Sequence, residues 1–581
     1  MRDRRRAARP AVPLVPVVAV LAALLAGCAS IPSTGPVRQG RDLRLEREDS
    51  AVRVIGQPPA KGARPQDIVR GFLQASADFV NDHATARLYL APPVRQRWRS
   101  TTGTAVYDRT EGAFTLEPGP GGAVRLSAAE VARIDAEGHY APAPRGSRLE
   151  RTFQMVRVAG EWRISALPDG LVLTRSDLQE TYRQLNLYFL SPSRSVLVPD
   201  TVFLPAVAGL STALVNRLLR GPTSQLRGAV TTAFPRGTSL AVTSVPVREG
   251  IARVNLDAGA LGADAETRER MSAQLVWTLK QLPEIQSVRI TADGESLGVR
   301  GVGQDQPRDA WGSYDPAGLT QGTIAYVVRG GRVGRVVEGR FTAVAGPAGD
   351  GRVPVRRPGV SLDAALLAAV SADGHVLLVG RLVEEGNLVP RLRGGELSAP
   401  SWDLDGNVWT VDRATGQVWQ VRASNDRPVA VRVPALAAGR VSGLRVARDG
   451  TRVAVVVGEG AAARLYVGSV IRRQDDPSVV TLTALREVLP QLRNVRDVAW
   501  SDATTLAVLG SEDGEPVGPL LADTDGYSVT PVEPQPGLVS LAAAPVTRPL
   551  LAGDQSGALL QYTSGRGWVS LGAGSDPTYP G

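Results

Sequence analysis

The sequence predicts a multidomain chain: an α+β domain, an α/β domain, and a C-terminal all-β region built as a propeller of about six blades. Three observations predict this. Apolar residues recur at helical spacing in 65–98, 211–222 and 267–283, each time with strand-like text nearby. Beyond about residue 310 that period disappears and short strand-like runs follow one another. Tight turns between those runs align at Gly374, Gly406, Gly450, Ala503 and Thr547, at intervals of 32, 44, 53 and 44 residues, near the length of one four-stranded blade.

Residues 1–27 read as a leader. Arg2, Arg4, Arg5, Arg6 and Arg9 form a positive start, and residues 11–26 are an apolar stretch of 16. A membrane span needs about 20 residues, so this length suits the apolar core of a secretory signal. The stretch ends in Leu25, Ala26, Gly27 and Cys28, which resembles the lipobox of bacterial lipoproteins. That resemblance implies that the Cys28 thiol takes a diacylglyceryl group, that the chain is cut before it, and that the new amino terminus is acylated. One acyl chain holds a protein only marginally to a bilayer and two hold it stably. Cys28 is the only cysteine, so the chain can form no intramolecular disulfide and must be stabilised by burial.

The formal net charge of +9 overstates the basic character of the folded part. Five arginines and one aspartate in residues 1–27 account for four of the nine charges, leaving +5 on the remaining 554 residues. Lys61 and Lys280 are the only lysines, and the arginines are dispersed. A nucleic-acid interface needs basic clusters interleaved with aromatics, and none follows the leader. No nucleic-acid partner is expected.

Residues 28–65, rich in Pro, Gly and charge, read as a tether. The α+β domain covers 66–175. Two helices are expected in 65–98, ended by Pro92 and Pro93, and a closing hairpin turns at Ala159, Gly160 and Glu161. Helices first and a sheet ending in a GEWRI strand resemble an NTF2-like cone. The α/β domain covers 178–305. Strands are expected at 185–192 and 196–205, a helix at 211–222, and a strand pair within 232–256 that turns at Glu249 and Gly250. A helix at 267–283 carries Met271, Leu275, Leu279 and Leu282 on one face, and a hairpin turns at Asp293 and Gly294. The pieces AFPRGTSL, GIARVNLD and RMSAQLVWTLKQLPEIQSVRITADG resemble the GerMN domain of sporulation and envelope proteins, which implies a binding module without catalytic residues. The propeller covers 310–581.

No catalytic set assembles from the sequence. His83 and His139 in the α+β domain and His375 in the propeller have no His or Cys partner at ligand spacing, so structural roles are expected for them and no metal or cofactor. The glycines of GPGG (119–122) lack the Lys-Ser/Thr of a phosphate loop and read as a turn. Asp403 and Asp405 flank an Asp-Gly turn that uses them for geometry. Trp402, Trp409, Trp419 and Trp500 are the aromatics that a glycan-binding mouth would use, although strand aromatics usually belong to the core.

Taken together, a lipobox, a tether, an NTF2-like unit, a GerMN-like unit and a propeller, in this order, resemble the LpqB family of actinobacterial lipoproteins. The resemblance implies a lipid-anchored extracytoplasmic accessory of the MtrA–MtrB two-component system. Its partner would be the extracytoplasmic part of an MtrB-like sensor histidine kinase, and its process envelope homeostasis and division. It implies no catalytic residue, and only Cys28 carries over as a functional one. The alternative is an envelope ligand sensor or glycan-active enzyme using the propeller channel or the NTF2-like pocket. Replacement Cys28→Ala tests the anchor by fractionation: the protein should leave the membrane fraction or persist as uncleaved precursor. Mature-sized protein held firmly in the membrane would contradict it.

Overall fold

A helix at Pro65–Ala75 opens the described chain with its apolar face turned inward. The computed structural model describes residues 55–581, except 110–113, 319–322, 338, 424–426, 435, 437–438, 474–478, 513 and 546–547. The leader, Cys28 and most of the tether therefore lie outside the described residues. Pro65 takes the first helical turn, where its missing N–H costs nothing. Ile68, Val69, Phe72 and Leu73 pack with Val124, Leu126, Phe153 and Ile164 of the sheet. Gly71 is required here because a Cβ would stand 2.5 Å from the Tyr89 hydroxyl oxygen.

The first sheet runs Glu161–Ala166, Arg148–Val158, Val124–Asp135, Gly103–Asp108 and Leu171–Thr174 in spatial order, antiparallel except for the last, parallel pair. Two expectations need correcting. Pro92 and Pro93 do not end a helical run but begin a helix, Pro92–Arg97, again at the position that tolerates proline. The stretch assigned to a tether up to residue 65 is already bound to this domain from Gly56. The Gly56 amide donates to Asp78, the Gln57 carbonyl accepts from Tyr89, and the Gly62 amide donates to Glu161.

The second domain pairs Tyr182–Leu190 with Leu197–Pro205 along nine residues. Its other sheet pairs Ile251–Leu256 in parallel with Ser287–Ala292, joined by the helix Ala265–Leu279. Asp264 caps that helix through the Thr267 amide. Met271, Leu275, Leu279 and Leu282 are buried as expected, but the opposite face is buried too. Gln274 donates to the Tyr188 carbonyl, and Thr278 accepts from the Tyr188 amide. The helix thus clips the end of the first strand pair as well as covering a sheet. Between residues 232 and 245 the chain is irregular rather than a strand, with only a short ladder at Val247–Arg248.

The C-terminal region is a propeller-like succession of four-stranded antiparallel sheets, six among the described residues. In the first, Ala325–Arg329 pairs with Ser575–Thr578, so the last strand of the chain completes the sheet that the region began. This closure leaves no long free edge between start and end. The aligned turns need one correction. Gly406, Gly450 and Ala503 join the first and second strands of their sheets, but Gly374 joins the second and third, Leu366–Ser371 and Val376–Arg381. The equivalent turn lies at Asp363, where Asp363 accepts from Ser361 and from the Ala365 amide. The Asp-Gly pair at 373–374 is the stronger turn signal in sequence, which explains the short first interval. Thr547 lies outside the described residues. Ala51–Gly581 form one compact unit, and no helix among the described residues is long and apolar enough to cross a membrane.

Candidate functional site

Strand Val124–Asp135 reverses into Tyr140–Pro142 through a turn that the Asp135 side chain holds, accepting from the amides of Glu137 and His139 at 2.8 and 2.9 Å. Gly138, at φ +91°, brings its carbonyl to the Phe203 amide of the second domain at 2.8 Å. The turn presents His139, buried, to that domain. Its Nε2 stands 2.7 Å from Thr223 Oγ1, and that hydroxyl donates to Asp200 Oδ1 at 2.7 Å. A threonine hydroxyl has one proton, so Nε2 must donate; Nδ1 faces the Asp135 carboxylate at 3.1 Å and donates as well. The arrangement therefore holds an imidazolium. Burial alone would push this histidine down, but its hydrogen bond to Asp135 and the Asp200 carboxylate 3.8 Å from Nε2 outweigh burial and raise it to about 9.

The C-terminal region meets the same junction. Tyr527 packs against Tyr140 and Phe203 with ring centroids 5.3 and 4.9 Å apart, and Tyr140 and Phe203 stand 5.3 Å apart. Arg486 donates to the Tyr140 carbonyl, Ser469 to the Gln225 carbonyl, and Gln184 to buried Asp525. Three domains thus share one cluster. Asp135, Glu137 and His139 also present ligand atoms within 4.8 Å of one another. Their hydrogen bonds account for the grouping, since Glu137 accepts from the Ser224 amide and pairs with Arg227 at 3.0 Å.

A second site lies at the centre of the propeller-like region. Residues from the strands Val355–Val360, Ser401–Trp402, Val441–Val446, Leu492–Trp500, Leu538–Ala542 and Ser575–Thr578 line one cavity of about 370 Å³. Arg448 is buried there and donates to the carbonyls of Pro580, Trp500 and Ala543, and burial pushes its guanidinium down to about 10. Arg445 pairs with Asp497 at 3.3 Å. Burial raises Asp497 against that pairing.

The residues singled out in sequence disperse over the fold. His83 is buried beside Phe79 and Trp98 at 4.7 and 6.0 Å, and burial lowers its imidazole. The His375 amide donates to Asp373 in a hairpin turn. Asp403 is a buried acceptor for Asn407, Trp409 and Arg472, while burial and the neighbouring Asp403 push Asp405 up. Trp402 and Trp409 are core, Trp419 packs at its edge, and Trp500 lines the central cavity. GPGG 119–122 is a turn between strands. Leu25, Ala26, Gly27 and Cys28 lie outside the described residues. Sequence reasoning missed Asp200, Thr223, Arg448 and Arg486, because their roles come from partners far along the chain.

These elements define a multidomain protein that joins an α+β domain, a GerMN-like domain and a propeller-like region. Residues 58–179 match the model described as "Lipoprotein LpqB, N-terminal domain", 186–298 that of "Sporulation and spore germination", and 331–580 that of "Lipoprotein LpqB beta-propeller domain". Lipoprotein LpqB of Thermobifida fusca is 34% identical over 96% of this chain and 97% of its own, and that of Streptomyces coelicolor 31% over 96% of each. The tandem GerMN domains of the sporulation protein GerM from Bacillus subtilis are similar at 19% identity and TM-score 0.19, covering 27% of this chain and 60% of that one. The chain belongs to the lipoprotein LpqB family, and its relatives are named as lipoproteins.

The junction has a pH signature. A histidine raised in the folded state stabilises it fully below about pH 6.5 and loses that contribution as pH rises through about 9, on the order of 3 kcal/mol in all. Asp523, raised by burial and Asp525 to about 6, has already ionised before this window. Lys280, lowered by burial to about 8, adds stability over the upper part of this window, so the test is a difference: the native protein should exceed His139→Gln in thermal midpoint at pH 7, and that excess should shrink toward pH 10. Equal slopes in both proteins would contradict the charged junction.

Proposed function

We propose that the protein is a lipid-anchored extracytoplasmic accessory of an MtrA–MtrB-type two-component system, acting by contact with the extracytoplasmic domain of the sensor kinase. The observation that carries this reading is family membership along nearly the whole chain, with the lipobox-like Leu25-Ala26-Gly27-Cys28 ahead of it. We take the first domain as NTF2-like and the six four-stranded sheets as six propeller blades. The titratable clusters support a non-enzymatic role: Asp403 serves several donors at once, and the acids around His139 are occupied by hydrogen bonds within the junction.

An anchor at Cys28 would hold the docking surfaces at the membrane, where a kinase sensor domain also stands. Confinement raises the effective concentration of one partner beside the other, so a modest intrinsic affinity suffices. The mature protein without its lipid should bind the sensor domain weakly in solution, and its loss should alter MtrA-dependent transcription. Absence of binding at high micromolar concentration, together with unchanged regulator phosphorylation in a deletion strain, would overturn the reading.

A further inference from the structure

Beside the junction lies a second cavity, of about 450 Å³, at the end of the first sheet. That size falls within the range of small-molecule sites. Its wall is mainly hydrocarbon, contributed by Phe72, Phe153, Leu171 and Val172 among others. Four cationic side chains also face it: Arg133, His139, Arg151 and Arg486. Two of these are already neutralised, Arg133 by Glu130 and His139 by Asp135. The other acid in the wall, Asp169, is held by Arg99 at 2.8 Å.

Arg151 and Arg486 are left. Arg151 donates only to the Glu150 carbonyl and Arg486 only to the Tyr140 carbonyl, and neither forms an ion pair among the described residues. The Arg486 Nε is buried with no hydrogen-bond partner. Asp525, Asp200 and Asp135 act on this guanidinium only from beyond ion-pair distance, and burial lowers it from its ordinary value. A guanidinium removed from water without an anion carries an uncompensated desolvation cost, and a planar oxyanion is the partner its fork fits best.

We propose that this cavity binds a single-chain anionic amphiphile, whose carboxylate or phosphate head is taken by Arg151 and Arg486 and whose hydrocarbon lies against Phe72, Phe153, Leu171 and Val172. One buried guanidinium without an ion pair, Arg486, and a second, partly exposed one, Arg151, over an apolar wall select for this combination: a neutral lipid leaves the guanidiniums unpaired, and a small inorganic anion leaves the wall uncovered. Because Arg486 belongs to the C-terminal region and Phe72 to the first domain, the ligand would touch two domains at once. The proposal is independent of the kinase as partner.

Calorimetric titration of residues 29–581, which include the whole compact unit, tests it with laurate, dodecyl phosphate and dodecyltrimethylammonium below their micellar concentrations. At least one anion should bind saturably at one site, and the one that binds identifies the head group. The cation of equal chain length should bind about tenfold or more weakly, since a charge-assisted hydrogen bond contributes about 1.5–3 kcal/mol. Arg486→Gln and, at the less buried position, Arg151→Gln should each weaken the anion by about tenfold. Arg151→Gln should keep the native thermal midpoint, which separates lost binding from lost folding. Equal binding of anion and cation, no saturable anion binding, or anion affinity unchanged in a folded Arg151→Gln protein would overturn the proposal.

Discussion

The packing of Tyr140, Phe203 and Tyr527 is the contact on which the arrangement of the protein depends. Each ring comes from a different domain and touches the other two, so every pair of domains meets there. Domains in one chain usually move against each other unless their interface is large and apolar. Aromatic pairs of this geometry contribute about 0.5–1.5 kcal/mol each beyond the area they bury. The charged bond network of His139, Asp135, Thr223 and Asp200 lies beside the rings and adds direction to an otherwise greasy contact. Apolar packing supplies the attraction, and the fixed donors set the angle.

Such a body suits a protein that works by presenting surfaces. The C-terminal region ends by pairing Ser575–Thr578 with Ala325–Arg329, which joins its last strand to its first sheet. Arg448 lines its central cavity and donates to three carbonyls from separate segments, so a buried cation there ties the sheets together. The GerMN-like domain sits in the chain between that region and the first domain. Its helix Ala265–Leu279 is buried on both faces, joining the two sheets of the domain into one body.

Much of this was legible in the sequence, for local reasons. The stripe of Met271, Leu275, Leu279 and Leu282 follows from helical spacing, and the Asp-Gly turns at Gly406 and Gly450 mark the sheet repeats. Where local signals competed, the louder one misled: Asp373-Gly374 masked the true equivalent at Asp363, and Pro92-Pro93 read as a stop although proline also begins helices. The junction was not legible at all. Gln184 meets Asp525 across 341 residues of chain and Arg486 meets Tyr140 across 346. No periodicity or spacing encodes such contacts, and a lone His139 gave no hint that Thr223 and Asp200 would hold it charged.

The central claim is that the three domains open as one unit about the junction. Native-state hydrogen exchange across a urea series measures this directly, through the segments 135–142, 198–206 and 523–530, which carry the three rings and the Phe203 amide bonded to Gly138. The account predicts that all three lose protection together, at the denaturant concentration of global unfolding. Opening of any one of them at lower urea, with the other two still protected, would contradict it.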